Sequence, residues 1–221
     1  MHFIELSDYT LPLPETGRGL NRFYFALSKG DVCSIRTDSP EDAHIFLRAL
    51  ATLERPEQGV YRFGGNSLNF SDYRELLCYK KKIGYIASDA ALISNITIRE
   101  NLLLMRSYFE NSLLLTIDEK VAELCRIFAL QDKLDLRPTE VKPLDLHSAI
   151  VIRELTKSPE VVLLEHPERF IGSAKFGLFV EILKDMLLSK LSVVFISDTK
   201  AFVEEFSNKK ILITDGHLTT V

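Results

Sequence analysis

The sequence predicts an α/β fold: a mainly parallel sheet flanked by helices, with a helical subdomain inserted. Three observations carry this. Val161-Val162-Leu163-Leu164 and Val193-Val194-Phe195-Ile196 are uniformly apolar, as strands covered on both faces must be. A helical pattern, Phe176–Leu188, lies between them, and the same alternation opens the chain. From about 90 to 155 only helical patterns occur.

In chain order, Phe23–Leu27 and Val32–Ile35 read as strands on either side of a Lys29-Gly30-Asp31 turn. Ser39–Leu53 reads as a helix, with Ile45, Leu47, Ala49, Leu50 and Leu53 as its apolar positions. Val60–Phe63 is a strand closed by Gly64-Gly65, and Ile83–Ile86 is another. Ile98–Phe109 and Ile117–Phe128 read as helices, the second with Val121, Leu124, Cys125 and Phe128 on one side, and Ser148–Thr156 continues helical. Lys210–Ile213 is the last strand, before the turn Asp215-Gly216. The division expected is one domain over 1–221, with a core of about 1–88 and 156–221 and a helical subdomain of about 89–155.

Composition narrows the function. With 221 residues, 46% of them hydrophobic, the chain buries a real core, which excludes a disordered tail or a disulfide-stapled miniature. A net charge of -4 is wrong for a nucleic-acid binder, which needs a basic face. The longest unbroken apolar run is Phe23–Leu27, far too short to cross a bilayer, and the N-terminus lacks a signal-peptide pattern. Cys33, Cys78 and Cys125 are scattered and odd in number, which points to reduced thiols in the cytosol.

Several stretches resemble the nucleotide-binding domain of ABC transporters. Phe25–Ile35 is similar to the strand that leads into the family's phosphate loop. Arg55-Pro56-Glu57-Gln58-Gly59 with Tyr61–Gly65 is similar to its RPxxG turn and following strand. Ile83-Gly84-Tyr85 with Leu92 and Asn95–Asn101 resembles the glutamine-loop segment, and Arg137–Val141 the approach to the signature motif. Val161–Glu168 resembles the Walker B strand, and Ile211–Gly216 the closing strand. The resemblance covers nearly the whole chain. It implies an ABC-type P-loop NTPase fold with an N-terminal antiparallel β portion, and is greatest to importers and MCE-type lipid transporters.

The family's catalytic residues are replaced throughout. Its loop, G-x-x-G-x-G-K-[ST], uses glycines to bring backbone amides to phosphate, a lysine for charge and a hydroxyl for Mg²⁺. Those positions fall on Thr37, Pro40, Asp42, Ala43 and His44. In their place Ser39-Pro40-Glu41-Asp42 is a self-sufficient helix start: Ser39 as N-cap, Pro40 in the first turn, and acids on the dipole, with Ser39 and Asp42 at capping-box spacing. A phosphate about 4 Å from such an acid meets roughly 4 kcal/mol of repulsion per charge pair at an effective dielectric near 20. The signature motif falls on Val141-Lys142-Pro143-Leu144-Asp145, without its glycines. The loop glutamine falls on Ser88, the Walker B aspartate on Glu165, the general-base glutamate on His166 and the switch histidine on Asp198. The D-loop falls on Glu168–Gly172, and Tyr9 is a candidate for stacking on adenine.

These replacements predict a non-catalytic ABC subunit, a pseudo-ATPase with no catalytic residue, no nucleotide or Mg²⁺ cofactor and no metal. It would serve as scaffold or regulator in a membrane transport complex, cytoplasmic and held at the membrane by its partners. Those partners are a permease and an intact ABC ATPase subunit, in a homo- or heterodimer. Leu92, Ile93, Ile96, Leu102 and Met105 are the candidate contacts to the permease, by resemblance to the groove that receives its cytoplasmic helix; the same residues also suit the core of the helical subdomain. The alternative is an active or composite-site ATPase with atypical motifs. Rival readings assign a metal to His44, Glu165 and His166, a general base to His166, and a solvated surface to Lys80-Lys81-Lys82.

Overall fold

A computed structural model describes residues 2–12, 18–111 and 116–221. Its strands are β1 (Ile4–Leu11), β2 (Leu20–Leu27), β3 (Val32–Thr37), β4 (Gln58–Phe63), β5 (Asn66–Ser67), β6 (Ile83–Ile86), β7 (Val161–Glu165), β8 (Ser192–Ile196), β9 (Lys209–Thr214) and β10 (His217–Thr220). Its α-helices are α1 (Pro40–Leu50), α2 (Tyr73–Lys80), α3 (Ile98–Glu110), α4 (Glu119–Ile127), α5 (Pro143–Thr156), α6 (Pro167–Ile171), α7 (Ser173–Leu188) and α8 (Lys200–Phe206). No helix among the described residues is long and apolar enough to cross a membrane.

Two sheets form. One is four-stranded and antiparallel, in the order β2-β1-β4-β5; the other is six-stranded, in the order β10-β9-β3-β8-β7-β6, parallel except for β10. The Lys29-Gly30-Asp31 turn therefore does not close a hairpin: it carries the chain from β2 in one sheet to β3 in the other. Between β6 and β7 the described chain forms helices and no strand.

Two apolar clusters hold these layers together. One joins the antiparallel sheet, α1 and one face of the parallel sheet, around Tyr9, Phe23, Phe25, Phe46 and Tyr61. The other lies on the opposite face, with Val162, Leu164, Val193 and Phe195 against α3, α4, α5, α7 and α8. Tyr9 is completely buried, with its ring edge-on to Phe23 and Tyr61, so it is not available to stack on a base.

The parallel strands run with their C-terminal ends together, and α1 follows β3 there. The crevice outside the carboxyl ends of such strands is where open α/β sheets place their ligand sites. The ends of β3, β6, β7 and β8 bring Thr37, Ala87, Glu165 and Ile196 to one edge.

Phe46 ties α1 to the antiparallel sheet, with centroids 5.9 Å from Phe23 and 5.2 Å from Phe25 and no exposed surface. Phe46→Ala is expected to lower stability by about 3–5 kcal/mol in urea denaturation. A loss below about 1 kcal/mol contradicts this packing.

Candidate functional site

At the C-terminal edge of the sheet lies a cavity of about 420 Å³, lined by Pro40, Glu41, Ala43, His44, Ser88, Asp89, Glu165, His166 and Ile196. Of the sequence-predicted positions, Pro40, Ala43, His44, Ser88, Glu165 and His166 line it; Thr37 and Asp198 line a neighbouring cleft, and Ser39 and Asp42 line neither. Their chemistry differs from the one the resemblance describes.

The phosphate loop is the first departure. Only Asp38 and Ser39 separate β3 from α1, so the segment that should wrap phosphates is the first turn of a helix. Four of its amides are already engaged. Asp38 N–H donates to the Ile213 carbonyl at 3.3 Å and Ser39 N–H to Thr37 Oγ1 at 3.0 Å. Asp42 N–H donates to Ser39 Oγ at 3.3 Å and Ala43 N–H to the Ser39 carbonyl at 3.3 Å. Pro40 has no N–H to offer. Ser39 is thus the N-cap expected, but the reciprocal half of a capping box does not form.

Asp42 explains why. It was expected to stand where phosphates bind; instead it is fully buried and turned away, with Oδ1 accepting from the amides of Arg18 at 3.1 Å and Gly19 at 3.0 Å. Contacts 23 and 24 residues away leave no local trace in the sequence. Of the two acids at the helix start, Glu41 is the one that lines the cavity. Asp145, at the signature position, likewise turns inward. It accepts from Lys133 Nζ at 2.7 Å and lies 3.6 Å from Lys175, and although burial raises its pKa the two lysines bring it below the usual carboxylate value.

Glu165 is the centre of the site. Its Oε1 accepts from Tyr85 Oη at 2.5 Å and pairs with His44 Nδ1 at 2.8 Å; its Oε2 accepts from the Ser88 amide at 3.0 Å and Ser88 Oγ at 2.9 Å. A carboxylate has about four acceptor sites, and all four are filled. Burial alone would raise the Glu165 pKa, but the bonds from His44, Tyr85 and Ser88 outweigh it and hold it at about 2. The same bond raises the pKa of His44 against partial burial. Burial and the adjacent carboxylate push the Tyr85 phenol far up. Tyr85 was missed as a site residue: in the sequence it read as part of a strand and of the stretch resembling the glutamine-loop segment.

His166 does not join His44 and Glu165, so the three do not form a metal site. It caps α6 in a left-handed conformation, φ 44° and ψ 56°, which costs a non-glycine residue about 1–3 kcal/mol. Its Nδ1 lies 3.0 Å from Asp198 Oδ2. The positions where the resemblance puts a glutamate and a histidine therefore hold a histidine and an aspartate in contact: the pair is kept with its members exchanged. His166, Glu168 and Asp198 have ligand atoms within 4.8 Å of one another, but Arg169 already occupies Asp198 Oδ2 at 2.6 Å.

A triphosphate with Mg²⁺ does not fit these residues. Ala43 supplies no charge, Pro40 has no amide and those of Asp38, Ser39, Asp42 and Ala43 are engaged, and the acceptor positions of Glu165 are filled.

The residues expected to face a partner do not share one surface. Leu102 is 4% exposed and belongs to the core of α3, and Leu92 packs partly against that core. Ile93 is exposed and Ile96 half-buried. Met105 alone of the five lines a second cleft of about 310 Å³, with Leu53, Tyr73 and Leu77. Of the lysine run, Lys80 ends α2 and lies 4.9 Å from the Tyr73 ring centroid, while Lys82 pairs with Glu160 at 2.9 Å.

The His44–Glu165 pair predicts a specific pH dependence. Glu165 sits below its ordinary 4.5, so its stabilisation is present above pH 4.5 and is lost as pH falls toward 2. His44 sits above its ordinary 6.5, so its contribution is full below pH 6.5 and is lost as pH rises through its folded value. Urea midpoints measured across pH should fall on the alkaline side of 6.5 in the native chain and stay flat there in His44→Ala. An equal alkaline fall in both proteins contradicts the pairing.

Comparisons with known proteins place this geometry. No protein-family model matches the chain. A "Probable amino-acid ABC transporter ATP-binding protein" of Haemophilus influenzae is 24% identical over 199 residues, 88% of this chain and 77% of that protein. A methionine import ATP-binding protein of Pectobacterium atrosepticum is 24% identical over 219 residues, 97% of this chain but 64% of that longer protein. Among solved structures, a bacterial ABC transporter cassette solved as a dimer superposes with a TM-score of 0.83 at 20% identity, over 99% of this chain and 97% of that one. The chain is a homologue of ABC transporter ATP-binding proteins and has the fold of the ABC cassette.

Proposed function

We propose that this chain is a non-catalytic member of a membrane transport complex, an ABC-type subunit that binds other proteins rather than ATP. The observation that carries this reading is the Glu165 carboxylate, saturated by His44, Tyr85 and Ser88 beside a loop with no lysine. Phosphoryl transfer depends on positioned positive charge and metal at the phosphates, and neither has a holder here. The relatives, named as an amino-acid ABC transporter ATP-binding protein and a methionine import ATP-binding protein, support a place beside a permease. The cleft with Met105, Leu53, Tyr73 and Leu77 is the surface that would receive a permease helix, since helix-in-groove binding needs apolar walls. On this reading the chain is cytoplasmic, held at the membrane by that permease, and pairs with an intact ATPase subunit that powers transport.

One observation favours a second reading. The exchanged pair, His166 with Asp198 at 3.0 Å, keeps an imidazole oriented by a carboxylate beside the cavity, as a general base requires. That reading is an ATPase with atypical motifs, alone or in a composite site with a partner.

Calorimetric titration with Mg-ATP and a phosphate-release assay distinguish the two. The proposal predicts no saturable binding up to about 1 mM, the level of roughly −4 kcal/mol, and no phosphate release. Micromolar binding, or turnover abolished by Glu165→Ala or His166→Ala, would overturn it in favour of the second.

A further inference from the structure

β3 is a central strand, between β9 and β8. Central strands of parallel sheets are covered on both faces and are apolar on both. β3 breaks this rule: Val32 to Ile35 are buried, but Arg36 is exposed. Its register sets Ser34 opposite Lys210 and Arg36 opposite Leu212 of β9. Alternate residues of a strand share a face, so Arg36 and Lys210 are diagonal neighbours on one side of the sheet. That side opens into a cleft of about 850 Å³, whose wall is α8 with Lys200, Val203 and Glu204. The size suits a small organic ligand, for which sites run roughly 300–1,000 Å³.

The charges in the cleft do not cancel. Among the described residues, Arg36, Lys200 and Lys210 form no ion pair. Asp198 also lines the cleft but is engaged by His166 at 3.0 Å and Arg169 at 2.6 Å. Three cations against Glu204 leave a formal charge of about +2, and unopposed charge in a concave site concentrates counter-ions. A phosphate monoester carries about −1.5 to −2 at neutral pH, and arginine's planar fork matches its oxygens. Val203 and Leu212 supply apolar wall beside the cations.

We propose that this cleft binds a small organic phosphate monoester, its phosphate on Arg36, Lys200 and Lys210 and its apolar body against Val203 and Leu212. The site is distinct from the cavity of His44 and Glu165; Ile196 borders both. The proposal does not depend on whether ATP binds in that other cavity.

The test titrates the full chain with phenyl phosphate and with inorganic phosphate, by calorimetry and by mapping of amide NMR shifts. Saturable binding of phenyl phosphate is expected, with shifts at 34–37 and 200–212, weaker binding of inorganic phosphate, and affinity that falls with added salt. The double variant Arg36→Gln/Lys210→Gln should lose at least about ten-fold in affinity, and Lys81→Gln, at the end of α2, less than about two-fold. Because the double variant changes the sheet, Lys200→Gln on exposed α8 is the second variant, with a loss of about three-fold or more. No saturation at about 10 mM phenyl phosphate overturns the proposal. So do affinities unchanged in both variants, or shifts confined to 39–44. Inorganic phosphate binding as tightly as phenyl phosphate contradicts the apolar wall.

Discussion

A buried carboxylate must be satisfied or it unfolds its surroundings, and that constraint at Glu165 organises the candidate site. Taking an isolated carboxylate out of water costs several kcal/mol even after relaxation. Glu165 meets the cost with donors from three places: His44 on α1, Tyr85 on β6 and Ser88 just beyond it. The same bonds clamp α1 onto the sheet edge and fill every acceptor position. A carboxylate that is used in this way as a structural hub has nothing left with which to hold a cation.

The same logic recurs at two other positions of the motifs that the resemblance describes. Asp42, at a glycine position, and Asp145, at the signature glutamine, are both turned into the protein: Asp42 Oδ1 accepts from the amides of Arg18 and Gly19, and Asp145 is paired with Lys133 and Lys175. The loop amides of Asp38, Ser39, Asp42 and Ala43 are answered by Ile213, Thr37 and Ser39. Capping and electrostatics agree at Ser39 and Asp145, whereas Asp42 Oδ2 is buried without a hydrogen-bond partner among the described residues. Yet the fold is kept well enough to superpose on a bacterial ABC transporter cassette.

Much of the fold was legible because its strands are buried on both faces. β6, β7 and β8 fall within a residue of the apolar runs that predict them. β1 was not legible, and its geometry gives the reason. A shift in register between Leu6 and Tyr9, with Asp8 at φ 48°, switches the buried parity from Ile4 and Leu6 to Tyr9 and Leu11, so no strict alternation survives. α2 buries only Leu76 and is otherwise polar, so it has no apolar period to detect. The site positions could be counted along the chain, but their partners could not: Tyr85 and Glu165 are 80 residues apart, and nothing local aims Asp42 at Arg18. The exchange of histidine and acid between 166 and 198 was visible as two substitutions, but only the fold makes them one pair.

The pairing of His44 with Glu165 holds the site closed, and an NMR titration of the His44 ring reads it directly. The pairing predicts a His44 pKa above the ordinary 6.5, unmoved by Mg-ATP. A His44 pKa at or below 6.5, or one displaced when Mg-ATP is added, would show that Glu165 is free for a cation and contradict the account.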